Sequence, residues 1–294
     1  MKKLSVLIIL FSVLFTSHVY AQDNEVSEKI VVEKDPAKLR FGLMGFSSVG
    51  WLVPENDLLL TRGKVGLGFG WGLNTEILIN KTTSFRTGLS LSTFNASLNY
   101  NDSEKNKTEY FTDTYFVANK AAFQKWENDT VLPYGELRKL STRKYKLSYV
   151  NIPLILKLKT KEIGYLTYFG EFGGLIGIKT KSKVLDEFYD VNLTPDSVID
   201  NIGDEPKSSV DFDFEDGAQL IRAGVCLGAG AEYNFSGSTS LFFQVNWNYF
   251  MTNMLRKEEK DDYLRSFDSN TGNYERVNSK SIPGSITITI GILF

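Results

Sequence analysis

Large apolar residues recur at every second position along several separate stretches of the chain. The cleanest covers residues 65–79, where Val65, Leu67, Phe69, Trp71, Leu73, Ile77 and Ile79 are separated mostly by glycine or polar residues. A period of two sends alternate side chains to opposite faces of a strand, so odd positions here meet one environment and even positions another. The same alternation runs through residues 221–235, 241–249 and 286–294. Four further segments fit less cleanly, at about 39–47, 85–98, 145–158 and 165–178, which makes eight expected strands.

The connections carry as much information as the strands. Three are short, at 80–84, 159–164 and 236–240, and they alternate with long ones at 49–64, 99–144, 179–219 and 252–284. Tight turns on one side and long loops on the other are the pattern of a barrel that crosses an outer membrane. Closure is required there, because hydrocarbon offers no partner for the free N–H and C=O groups of an edge strand. The expected fold is therefore all-β: an eight-stranded antiparallel up-and-down transmembrane β-barrel with long outer loops, spanning 38–294. An even strand count places both termini in the periplasm. Strand direction then collects Tyr165, Tyr168, Tyr233, Phe235 and Phe294 at the periplasmic rim, and Tyr145, Tyr149, Trp247 and Tyr249 at the outer rim, as two aromatic belts.

A soluble lipocalin-like barrel is the rival architecture, and the inward positions of the alternation weigh against it. They direct Arg40, Glu76, Arg86, Lys157, Glu171, Arg222 and Glu232 inward, and a water-soluble barrel would not bury seven charges. Eight strands enclose a lumen only wide enough for side chains to fill. Buried charges persist only when paired and hydrogen-bonded, so these seven are expected to form a charge network that plugs the barrel. Gly66, Gly68, Gly70 and Gly72 face the same interior and leave room for side chains from other walls, such as Met44 and Phe242. They are not a nucleotide-binding loop, since no helix follows them.

Composition narrows the chemistry. Lys2 and Lys3, an apolar run over 4–15 and a small residue at Ala21 read as a cleaved signal peptide, 1–21, followed by a periplasmic linker, 22–37. Removing 1–21 takes away two of the 33 basic residues and none of the 35 acidic ones, a mature charge of −4 with no indication of nucleic-acid binding. His18 is the only histidine and lies in the signal peptide, which excludes Ser-His-Asp, Cys-His and His-ligated zinc designs from the mature chain. Cys226 is the only cysteine, so no intrachain disulfide forms.

The third long loop is acidic, with ten carboxylates and three lysines over 180–215. Asp211, Asp213 and Glu215 alternate there and would share one face of an extended hairpin, making them weak candidates for Ca²⁺ or Mg²⁺. Their spacing is not that of an EF-hand, and the expected reading is a solvated face with no metal or cofactor. The second long loop concentrates Tyr110, Phe111, Tyr115, Phe116, Phe123, Trp126 and Tyr134, which suits strand extensions, a packed cap or a surface for a protein or glycan partner. Pro153 has no N–H for the ladder, and a β-bulge is expected beside it.

The run Tyr149-Val150-Asn151-Ile152-Pro153-Leu154-Ile155-Leu156-Lys157, the Gly-rich aromatic strand through Phe169-Gly170-Glu171-Phe172-Gly173-Gly174 and the terminal Phe294 resemble the PorT-like outer-membrane β-barrel family of Bacteroidetes-type bacteria. The resemblance covers 39–294 apart from the outer loops. It implies outer-membrane lipid and the barrel-insertion machinery as partners, and one branch of the family takes part in protein secretion. It carries no catalytic residues. Together the residues point to a non-enzymatic structural or interaction protein that displays its outer loops, with a narrow channel or a transport or protein-secretion component as the alternative.

Overall fold

A computed structural model describes residues 39–55, 60–100, 111–117, 137–193, 199–203, 207–208, 212–213, 217–236, 239–255, 264–268, 273–276 and 280–294. The expected signal peptide and linker lie outside these residues. The strands are β1 (Leu39–Pro54), β2 (Leu60–Leu78), β3 (Thr83–Tyr100), β4 (Phe111–Val117), β5 (Leu137–Lys159), β6 (Leu166–Leu193), β7 (Ile199–Ile202), β8 (Lys207–Ser208), β9 (Phe212–Asp213), β10 (Ile221–Ser236), β11 (Thr239–Phe250), β12 (Leu264–Asp268), β13 (Asn273–Arg276) and β14 (Ser281–Leu293).

Eight of them close a ring in the order β1-β2-β3-β5-β6-β10-β11-β14, every neighbour antiparallel. β1 and β14 seal it, in register from Gly42 opposite Leu293 to Pro54 opposite Ser281. The remaining strands extend the loop end. β4 pairs with β5, β12 with β4 and β13 with β12, while β7, β8 and β9 pair with the far half of β6. At the opposite end the turns are tight. Ile79 donates to the Thr83 carbonyl at 2.9 Å, and Gly164, at φ 67°, takes the left-handed conformation that the β5–β6 turn requires.

β5 has 23 residues and β6 has 28, whereas about 9–11 residues cross a bilayer. The outward side chains of β5 show where hydrocarbon ends. Leu158, Leu156, Leu154, Ile152 and Val150 give way along the same face to Ser148, Lys146, Lys144 and Thr142. The inward face changes the opposite way, from Lys157 and Asn151 to Tyr149, Leu147 and Tyr145, all buried. Below this crossover the wall is apolar outside and its buried charged and amide side chains point inward, among inward apolar residues such as Ile155 and Phe242; above it the wall is polar outside around an apolar core of Leu98, Leu140, Leu147, Val184, Phe188 and Met254. The expected strand ends fell short because the lipid-facing alternation stops at the crossover while the hydrogen-bond ladder continues.

A bulge marks the crossover on β6. Ser148 pairs with Lys181 but Tyr149 with Lys179, which leaves Thr180 inserted. Inward parity changes there, from Glu171 and Gly177 to Ser182, Val184 and Asp186. The bulge expected at Pro153 is absent. Pro153 pairs normally with Leu175 of β6, and the β3–β5 ladder loses its pairs between Arg86 and Ser90, then resumes in the same register. That register sets Pro153 opposite Gly88, whose φ is 156°. A gap in one ladder accommodates the missing N–H without an extra residue.

Gly88 also lies directly against the Leu73 carbonyl. Gly88→Val is expected to lower stability by about 1–3 kcal/mol, the cost of holding an L-residue in a disfavoured conformation. The urea midpoint of the heat-resistant band on an unboiled gel measures this.

Candidate functional site

The lumen is filled in three layers, each assembled from strands far apart in sequence. In the turn-side layer, Arg40 of β1, Glu76 of β2, Lys157 and Lys159 of β5 and Glu232 of β10 converge. Arg40 Nη1 stands 3.0 Å from Glu232 and 3.9 Å from Glu76. Lys157 Nζ lies 3.3 Å from Glu76 and also pairs with Glu232. Lys159 pairs with Glu76 and lies 3.3 Å from Glu232. The Ser84 hydroxyl donates to Glu76 at 2.6 Å, and Arg40 donates to Ser240 at 2.9 Å. Phe169 supplies a ring face 4.0 Å from Lys157 Nζ. Three cations thus share two carboxylates, and a mouth of about 960 Å³ lined by Arg40, Lys81, Lys159, Lys161 and Glu162 opens below them.

In the middle layer Arg86 pairs with Glu171 at 2.7 Å. Asn246 donates to Glu171 and to the Cys226 sulfur, the latter at 3.2 Å. Among the described residues Arg222 has no ion-pair partner. It donates to Asn151 Oδ1 at 2.9 Å and stacks 3.7 Å from Tyr149 and 4.3 Å from Phe250. The loop-side layer is the apolar core, crossed by the Tyr100–Tyr145 hydroxyl contact at 3.0 Å and by Arg143 gripping Asp186 at 2.7 and 2.9 Å. At the loop-side rim Asn253 donates to Glu55 at 2.9 Å and Lys280 stands 3.5 Å from it. That hydrogen bond, helped by the lysine, holds the Glu55 carboxyl below the ordinary value.

All seven expected lumen charges face the interior. Six fall into the two ion-paired groups, and Arg222 stands apart. The belt assignment needs correction: Trp247 and Tyr249 face outward, as do Tyr165, Tyr168, Tyr233, Phe235 and Phe294, but Tyr145 and Tyr149 are buried inside. Their parity with Lys157 dictates this, since odd positions of β5 share one face. The same parity points to Lys159 and Arg143, which the inward set omitted.

Asp213 sits in β9, whose backbone pairs Asp213 with Lys183; Asp211 and Glu215 lie outside the described residues. Among the described residues no group of three or more acidic, cysteine or histidine side chains is placed to hold a metal ion. Of the aromatic loop residues, Phe111, Tyr115 and Phe116 belong to β4, and Tyr110, Phe123, Trp126 and Tyr134 lie outside the described residues.

Removing one partner of a buried ion group strands the others, at a cost of about 3–5 kcal/mol, whereas exchanging both partners for apolar residues costs far less. Glu76→Leu is expected to lower stability by that amount, and Glu76→Leu with Lys157→Met to recover much of it, both measured by urea titration of the folded band.

Residues 21–256 match the family model described as an outer membrane protein beta-barrel domain; β14, which closes the ring, lies beyond the match. No curated protein matches the chain. Solved structures with similarity include Neisserial surface protein A, at 9% identity over 86% of this chain and 95% of that one with a TM-score of 0.35. The outer membrane protease OmpT from Escherichia coli is 9% identical over 87% of this chain and 95% of its own, TM-score 0.35. A major outer membrane protein from Thermus thermophilus is 11% identical over 87% and 98%, TM-score 0.35. The family model covers most of the chain and agrees with the closed ring and its apolar outer wall. The chain belongs to the family of outer membrane β-barrel proteins, and its lipid is that of a bacterial outer membrane.

Proposed function

We propose that this protein is a non-enzymatic outer-membrane barrel whose lumen serves as structure and whose loop end meets a protein or glycan partner. The observation that carries this reading is the double closure of the interior: an ion-paired layer on the turn side and an apolar core on the loop side. A path blocked at both ends does not suit a pore. Strands that continue past the bilayer, with β4, β12 and β13 added to one edge and β7–β9 to another, give a rigid platform for loops.

On this reading residues 1–21 are the export signal, 22–37 form a periplasmic linker, both termini are periplasmic and the tight turns face the barrel-insertion machinery. The PorT-like resemblance of 149–157 and 169–174 favours a second reading, a component of an outer-membrane protein-secretion system. The two differ in whether a partner depends on the loop end or on the turn-side mouth.

Planar-bilayer recording of the purified protein is expected to show no stable openings of porin size; such openings would overturn the closed-lumen reading. Deleting 106–133 is expected to abolish a specific cross-linked partner from outer membranes while the heat-modifiable band remains. An unchanged partner set would sink the role of the loop end.

A further inference from the structure

Between the two closing layers the lumen retains a cavity of about 90 Å³, well above the ~10–15 Å³ that one water needs. Among the described residues its wall contains two arginines, Arg86 and Arg222, and no carboxylate. Arg86 is neutralised by Glu171 at 2.7 Å. Arg222 is not: among the described residues its polar partner is Asn151, and its Nε has none. The side chain is 5% exposed. Tyr149, Phe250 and Phe94, at 3.7, 4.3 and 5.7 Å, present ring faces to the guanidinium. Ring quadrupoles attract a cation but leave its charge in place, and an isolated ion in so narrow an interior is costly.

The neutral groups of the cavity are arranged as donors. Ser92 accepts from Asn151 Nδ2 at 2.8 Å, and Ser285 and Thr287 accept from Asn248 Nδ2 at 3.2 and 3.0 Å. A hydroxyl that accepts keeps its own proton to donate elsewhere. One unneutralised guanidinium, three hydroxyls with a proton left to donate and a small cavity describe a receptor for one compact negative charge.

We propose that this cavity binds a small monovalent inorganic anion of the halide class, seated against Arg222 as its counter-charge. The anion is taken up during folding rather than passed along the barrel axis, because the ion-paired layer and the apolar core close that path. Arg222 fixes its charge, and the hydroxyls of Ser92, Ser285 and Thr287 complete its shell.

The test is refolding and crystallisation in potassium bromide. An anomalous bromide peak within hydrogen-bond distance of the Arg222 guanidinium is expected, and a water or nothing there would overturn the proposal. Thermal unfolding of the detergent-folded protein gives a second readout. The wild-type midpoint is expected to rise by several degrees in potassium bromide over potassium sulfate of equal ionic strength. Arg222→Leu is expected to lose that difference. Should it not fold, Asn151→Asp places a carboxylate beside the guanidinium and is expected to fold with the same midpoint in both salts. A salt difference absent from the wild type, or equal in wild type and Asn151→Asp, would contradict the site.

Discussion

Hydrocarbon offers no hydrogen-bond partner to a strand edge, and the rest of this molecule depends on that constraint. The thirteen residue pairs from Gly42 to Pro54 of β1 against β14 remove the last edge. Closure then brings Arg40 to Glu232, 192 residues away in sequence, and Arg86 to Glu171, 85 away. Without the ring these groups would never meet. With it, a lumen too narrow for bulk water must be filled by side chains that satisfy one another.

The filling follows the solvent outside. Within the bilayer the wall presents Leu158, Leu154 and Ile152 to lipid, so the polar residues of β5 turn inward and pair. Above the crossover Lys146 and Lys144 face water, and the apolar residues Leu147 and Tyr145 turn inward to form a core. One continuous strand thus serves a membrane barrel in its lower half and a water-facing barrel in its upper half. Thr180, inserted on β6 at this level, adjusts the neighbouring strand to the change. The proposed anion site lies between the two regimes, beside the Arg86–Glu171 pair, where a cavity remains.

Much of this was legible in the residues. Period two in 65–79, 221–235, 241–249 and 286–294 located strands and their faces, because lipid demands apolar residues on every outward position. The alternation of short and long connections located the turns. Strand ends beyond the bilayer were not legible, since Lys144 or Lys183 in a strand looks like loop when lipid no longer selects the outward residue. Tyr145 and Tyr149 lie inside because they share the parity of Lys157, which outweighs their aromatic character as a rim signal. The isolation of Arg222 depends on strand stagger, which no single strand encodes. Pro153 shows the same limit: its accommodation opposite Gly88 is a property of a strand pair.

The proposed function requires a sealed interior, and Cys226 reports on it directly, as the chain's only cysteine, buried against the middle cavity. The measurement is labelling of the folded protein in liposomes by a membrane-impermeant maleimide present on both sides. A sealed interior predicts no modification until the barrel is unfolded, followed by complete modification. Labelling of the folded barrel at the rate of an exposed thiol would contradict it.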